Sequence, residues 1–299
     1  MSAFNRLLVT GLPMVPKPLV GRVASRYVAG ETLADAVRVV RSLNQEGAMA
    51  TLDVLGEEVK EREPAVAAVE EYLRVFDTIA REGLDSNVSI KLTLLGLKID
   101  EGFCRDNVER IVAKAKEHGN FVRIDMEDHT TTDATLRIYH ELHARHGNVG
   151  VVLQAYMRRT LADIAALPKQ GASVRICKGI YVEPRAVAWK GFETIQANYV
   201  RALEKLIENG VYPGIATHDE YLVNRAVGLV DKHGLRREQY EFQMLLGVDE
   251  ELRRILIAGG HRLRVYVPYG RDWYPYSIRR LRENPEVARH VIRATLSGR

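Results

Sequence analysis

The residues best able to do chemistry in this 299-residue chain stand near its C-terminal end, in RLRVYVPYGRDWYPYSIRRLRE, residues 262–283. Leu263, Val265 and Val267 alternate with Arg264 and Tyr266, the period of two expected of a strand, and Pro268 and Gly270 end it. A helix predicted to start near Tyr274 carries Tyr276, Arg279, Arg280 and Glu283 at spacings of three and four, hence on one face. Two adjacent guanidiniums beside a tyrosine suit a small carboxylate: a bidentate fork against an amphipathic wall. Glu283 can pin one arginine through an intrahelical ion pair. Taken alone, the stretch reads equally well as an arginine-rich solvated helix.

The elements that must position these groups follow a regular rhythm. Residues 1–46 read as a helical preface, with Leu33, Ala36, Val37, Val40 and Leu43 on one face, Thr32 as a cap and Gly47 as a stop. Eight candidate strands follow, at 47–56, 87–96, 120–127, 149–156, 172–179, 212–218, 240–247 and 262–270. Amphipathic stretches of helix length separate them, at 64–81, 103–118, 132–146, 161–167, 185–208, 221–232 and 250–257. Such alternation means βαβ units and a parallel sheet. Eight units without a linker predict a closed (β/α)₈ barrel over residues 47–299, as a single α/β domain behind the preface.

Several strands are not the continuous apolar runs of a sheet buried on both faces. Val88, Ile90, Leu92 and Leu94 oppose Ser89, Lys91 and Thr93; Val122, Ile124 and Met126 oppose Arg123, Asp125 and Glu127. Likewise Val174 and Ile176 oppose Arg175 and Cys177, Leu52 and Val54 oppose Thr51 and Asp53, and Val265 opposes Arg264 and Tyr266. The apolar faces must meet the helices, so the polar faces point into the bore. Charges there are costly unless they are paired or serve a ligand. Asp53, Lys91, Arg123, Asp125, Glu127, Arg175 and Arg264 therefore read as a binding site, with Asp53 and Arg123 as supporting ion-pair members. Lys91 is either a Schiff-base lysine or a charged partner; the nearby Asp125 favours the second reading.

Other chemistries lack their residues. The histidines form no HxH or HExxH, and Arg123 and Lys91 argue against a cation at DMED (125–128), so no metal is expected. No P-loop, GxSxG or GxGxxG occurs. Cys104 and Cys177 lack metal spacing and fit a reducing compartment, with Cys177 read as packing. Basic and acidic residues are interspersed, with a net charge of only +4, which makes nucleic acid a poor partner. No apolar run is long enough for a membrane span, and Pro13, Pro16 and Pro18 break any signal core; a cytoplasmic protein is expected. Residues 285–299 are mildly amphipathic, suited to packing on the barrel or to a peripheral contact with the inner face of the cell membrane.

The fragments SIKLTLLGL (89–97), RIDMED (123–128), LQAY (153–156), VRICKGIY (174–181), ATHD (216–219), FQMLLG (242–247) and YVPYG with YSIRRLREN (276–284) occur in one order. That order resembles the proline dehydrogenase family, both the stand-alone bacterial enzymes and the dehydrogenase half of bifunctional proline-utilisation proteins. The resemblance implies a (β/α)₈ barrel with FAD at the strand C-terminal ends and the last helix over that face. It implies that Arg279, Arg280 and Lys91 bind the proline carboxylate, with Glu283 tying down the arginine pair. Asp125 would hold Lys91, and Tyr266 and Tyr181 would wall the pocket. Arg175 would sit by flavin N5, with Gln154 on the isoalloxazine; Asp125 and Arg175 are the implied catalytic residues. Met126, the backbone around Lys178, Gly179 and Ile180, and Thr217 with His218 would contact FAD. Three positions depart from the family's usual residues: Ile180 for alanine, Cys177 for an aliphatic residue and Asp219 for asparagine.

The implied reaction is hydride transfer from proline C5 to flavin N5, giving Δ1-pyrroline-5-carboxylate. This is the first step of proline catabolism to glutamate, with pyrroline-5-carboxylate dehydrogenase downstream. Electrons would pass to a membrane quinone. The cationic pocket would orient the carboxylate and favour loss of the amine proton. A Schiff-base lyase using Lys91 and a non-catalytic binding barrel are the alternatives; the intact polar bore speaks against the latter.

Overall fold

The computed structural model describes residues 26–168 and 170–283, the last five as backbone within a helix. Strands β1 (Met49–Val54), β2 (Ser86–Ile90), β3 (Val122–Ile124), β4 (Val149–Gln154), β5 (Ser173–Cys177), β6 (Tyr212–Ala216), β7 (Glu241–Leu245) and β8 (Leu263–Tyr269) are all parallel and close in sequence order into a barrel. Helix α1 (Leu33–Gln45) precedes β1. Helices α2 (Arg62–Glu82), α3 (Glu101–Glu117), α4 (Thr132–His146), α5 (Thr160–Ala165), α6 (Phe192–Glu208), α7 (Glu220–Lys232), α8 (Glu250–Ala258) and α9 (Trp273–Glu283) follow the strands in turn.

The alternation is realised as the patterning predicts. Val88, Ile90, Val122, Ile124, Val174, Ile176 and Val265 are fully buried between sheet and helices. Register puts Asp53 beside Ser89, Ser89 beside Arg123 and Arg175 beside Gly214 on the opposite face, which lines the bore. Two strands are shorter than their apolar runs. β2 stops at Ile90 and β3 at Ile124, so Leu92, Leu94 and Met126 lie in the loops beyond and are buried there. Lys91 and Asp125 are thereby the first residues past the C-terminal ends of their strands, where barrel chemistry is sited.

Helix α1 belongs to the barrel wall. Thr32 and Asp35 form a capping box at its start, and its buried face of Ala36, Val37, Val40 and Leu43 packs against β1 and β8. It closes the ring of helices, which leaves α9 to rest on the C-terminal rim. There Tyr276 is buried with Tyr27, Val28 and Leu55, and Trp273 Nε1 donates to Glu31 at 3.0 Å. The preface before residue 26 and the amphipathic stretch 285–299 lie outside the described residues.

The helix predicted from Arg185 begins instead at Phe192. Residues 187–189 are zipped onto the loop after β4: Arg158 N donates to Val187 O and Trp189 N to Tyr156 O. Val187 N and Ala188 N close a single turn on Pro184 O, and the Val187 carbonyl and Trp189 N–H, given to the other segment, cannot carry that turn on into α6. Arg158 stacks its guanidinium 3.8 Å from the centre of the Trp189 ring and holds the loop down.

Candidate active site

Inside the C-terminal half of the barrel, charged side chains from distant strands converge. Arg175, on β5, donates through Nη1 to Asp125 Oδ1 at 2.7 Å, through Nη2 to Ser89 Oγ at 3.0 Å and through Nε to Gln243. A residue of β5 can reach β2, the end of β3 and β7 together only from within the bore. Tyr266 donates to Asp125 Oδ2 at 2.7 Å and accepts from Lys91 Nζ at 3.1 Å. Lys91 in turn donates to both oxygens of Asp53, at 2.7 and 2.8 Å. Two cations and two carboxylates thus alternate around one phenol.

The principal partner of Lys91 is Asp53, whereas Asp125 stands farther off at 3.7 Å. Asp53 is fully buried and is more than the supporting member that its place in the strand suggests. Burial by itself would depress the Lys91 pKa, but Asp53 and Asp125 hold its ammonium above the ordinary lysine range. A lysine so held is a poor imine-forming nucleophile, which removes the support for the Schiff-base alternative. Burial pushes the Tyr266 phenol well above its ordinary value, and the carboxylates of Asp125 and Asp53 add to the effect. Tyr266 is therefore a fixed donor.

A deeper layer supports this one. Glu241 accepts from Arg264 Nε at 2.8 Å, and Arg123 donates to the carbonyls of Val151 and Ser173 at 3.0 and 2.6 Å. Arg123 and Arg264 are thus wall-bracing residues. Glu127 accepts from Thr93 N at 3.0 Å and Oγ1 at 2.5 Å, tying the loop after β3 to the loop after β2.

The rim carries the remaining predicted positions. Gln154 is buried and donates to Glu127 O at 2.9 Å. His218 Nε2 accepts from Leu245 N at 3.0 Å, so its proton lies on Nδ1. Thr217 Oγ1 accepts from Asp219 N at 3.1 Å. Asp219 caps α7 and meets Lys178 Nζ at 3.2 Å; the carboxylate, where asparagine would be neutral, pairs that lysine. Gly179 has φ +109°, and the Tyr156 ring occupies the space where its Cβ would stand. Met126 is buried, Tyr181 half-buried and Ile180 41% exposed. Cys177 Sγ lies 3.8 Å from Leu153 O, with burial pushing its thiol up to about 11, too high for a thiolate nucleophile. The backbone of α9 runs through Arg279, Arg280 and Glu283, whose side chains lie outside the described residues.

One rim residue escaped the sequence reading. Glu183, buried in the loop after β5, accepts from His129 N at 2.8 Å, pairs with the His129 ring and receives Lys190 Nζ at its own carbonyl. It clamps the loops after β3 and β5 together. Its only sequence signal is an acid set before Pro184.

Among the described residues no group of three or more His, Cys, Asp or Glu side chains is arranged to hold a metal ion, and no helix is long and apolar enough to cross a membrane. The family model for proline dehydrogenase matches residues 36–293. This chain belongs to the proline dehydrogenase family. That family is one of oxidoreductases acting on CH–NH donors. A proline dehydrogenase of Deinococcus radiodurans is 38% identical, over 92% of this chain and 91% of its own length. Proline dehydrogenase 2 of Bacillus subtilis is 37% identical, over 88% of this chain and 86% of its own. The barrel itself is similar to the crystal structure of a proline utilization A protein from Bdellovibrio bacteriovorus inactivated by N-propargylglycine. That match has a TM-score of 0.82 at 24% identity, covering 87% of this chain and 32% of the longer protein. The barrel of a proline dehydrogenase is therefore what carries the polar bore described above.

Proposed function

We propose that this protein oxidises L-proline to Δ1-pyrroline-5-carboxylate with FAD bound across the C-terminal mouth of the barrel. The observation that carries the reading is the Asp53–Lys91–Tyr266–Asp125–Arg175 network at that mouth, in a chain of this family. The donor set fits a flavin dinucleotide. Gln154, Thr217 and His218 supply polar edges for a ring system, and the loop backbone around Lys178, whose side chain is paired with Asp219, supplies peptide groups beside them. Ile180, Val182 and Phe192, at 41%, 100% and 60% exposed, supply apolar surface. Met126 and Gly179 complete the proposed cofactor contacts.

When bound, FAD supplies the hydride acceptor that the protein side chains lack. The Lys91 ammonium, together with Arg279 and Arg280 of α9, binds the proline carboxylate, and Glu283 restrains the arginine pair. Tyr266 and Tyr181 border the substrate ring. Asp125 holds Tyr266 and Arg175 in place, and Arg175 keeps positive charge at the cofactor edge. Cationic surroundings favour loss of the substrate amine proton, which must leave before C5 can give up hydride. These contacts would hold the substrate in one orientation against the cofactor, so that the transfer would gain the advantage of an intramolecular reaction. Electrons go on to a quinone at the inner face of the cell membrane, and the imine product to a pyrroline-5-carboxylate dehydrogenase.

The test is the visible spectrum of purified protein. Flavin absorbance that bleaches when proline is added without oxygen supports the reading. Protein that stays colourless and inert to proline after FAD is supplied defeats it.

A further inference from the structure

Gln243 lies on β7 within FQMLLG, a run whose pattern marks it only as strand. In the barrel its amide sits between two charged groups. Nε2 donates to Glu241 Oε1 at 2.5 Å, and Oε1 accepts from Arg175 Nε. An ionised carboxylate can only accept, so Glu241 dictates which end of the amide faces the arginine. A flipped amide would set its NH₂ against the guanidinium N–H and its carbonyl against the carboxylate. Glu241 is kept ionised by Arg264, which donates to both of its oxygens.

Space for this arrangement comes from the neighbouring strand. Gly214 of β6 stands in register with Arg175 on one side and Glu241 on the other. A Cβ there would lie 2.5 Å from Gln243 Nε2, 3.1 Å from its Cδ and 3.5 Å from Arg175 Cα. The amide occupies the volume a side chain at position 214 would need. With Nε on Gln243, Nη1 on Asp125 and Nη2 on Ser89, the guanidinium is held at three corners. Remove the first, and it can pivot about the other two.

We propose that Gln243 is a positioning residue for Arg175, its amide polarity set by Glu241 and its place kept open by Gly214. The consequence for catalysis rests on the function proposed above, in which Arg175 acts at the cofactor edge. The test uses Gln243→Leu, with Gln243→Met as a second variant of more adaptable shape. The first readout needs no cofactor: the arginine Nε–H correlation spectrum of the ¹⁵N-labelled apoprotein, with the Arg175 peak assigned through Arg175→Lys. Both Gln243 variants should shift that peak and speed its exchange with water by about tenfold or more. The second readout is kinetic: kcat for proline should fall about tenfold while KM stays within roughly threefold. In an Arg175→Lys background, Gln243→Leu should cost less than about a further twofold. An unmoved Arg175 peak, or equal losses in both backgrounds, overturns the proposal. If the wild-type protein fails to oxidise proline, the proposed function falls, and the exchange measurement alone then decides the role of Gln243.

Discussion

The ammonium of Lys91 lies 2.7 and 2.8 Å from the two carboxylate oxygens of Asp53, inside a barrel where Asp53 has no exposed surface. Burial pushes the Asp53 carboxyl up even as Lys91 draws it down. The direction that matters for binding is that of Lys91, which stays charged because of its neighbours. Asp53→Asn keeps the shape and removes the main counter-charge. The variant should lose roughly 3–5 kcal/mol of unfolding free energy, as broken buried pairs do. Its KM for proline should rise about tenfold and climb further with pH as Lys91 loses its proton, on top of the pH dependence that the substrate amine gives both proteins. Denaturant unfolding and a pH series of kcat/KM check both effects. A pH profile superimposable on that of the wild type would remove Asp53 from the site.

Tyr266 joins the two halves of the network, accepting from Lys91 and donating to Asp125. Tyr266→Phe leaves the ring and deletes both bonds. Hydrogen bonds to charged groups are worth about 1.5–3 kcal/mol each, so kcat/KM for proline should drop about 10- to 100-fold. Flavin affinity should hold, because the phenol faces the carboxylates. Parallel measurement of FAD dissociation and proline kinetics separates the two outcomes.

Glu241 makes the barrel acid-sensitive. Burial pushes its carboxyl up, but the Arg264 guanidinium more than reverses this and lowers it from 4.5 to about 2. A depressed carboxyl contributes stability that is present above its unfolded value and lost as pH falls through its folded one. Wild-type stability should therefore drop between pH 4.5 and 2 by up to roughly 3 kcal/mol through this group. Urea unfolding followed down through that window measures it. Glu241→Gln should be less stable at neutral pH and should show a flatter curve over the same range.

Much of this was legible because a parallel barrel exposes its own inconsistencies. Ser89, Lys91, Arg123, Asp125 and Arg175 break what should be apolar runs, and only a bore can hold them. The partner of Lys91 was not legible: it depends on the lateral register of β1 and β2, which sets Asp53 beside Ser89, two residues before the lysine. Gln243 was hidden for a related reason: Glu241 stands two residues before it in the strand, but Arg175 comes within its reach only once β5, β6 and β7 are aligned. The start of α6 is not legible, because residues 185–190 carry no stop signal of their own and leave the helix only through pairing with the loop after β4. Helix α1 was placed correctly as an element and read as a preface, although its apolar face closes the barrel wall.

Gly179 ties the proposed cofactor loop to the barrel wall. Its φ of +109° strains any L side chain, and a Cβ would lie 2.2–2.6 Å from three ring atoms of Tyr156. The ring cannot readily yield. Tyr156 is buried with Met157 and Ala188, and its N–H donates to Lys178 O at 2.9 Å. Gly179→Ala must therefore displace the loop that carries Lys178 and Ile180, or push Tyr156 out of its cluster. Backbone strain and overpacking together should cost roughly 2–4 kcal/mol. Flavin titration of the apoprotein should show weaker binding by about tenfold or more, since loop position sets the proposed contacts. Adding Tyr156→Ala relieves the clash and leaves the φ strain, so the double variant should regain part of the flavin affinity although it loses core packing. A Gly179→Ala protein with wild-type melting and full flavin loading would show that the loop tolerates displacement and does not hold the cofactor.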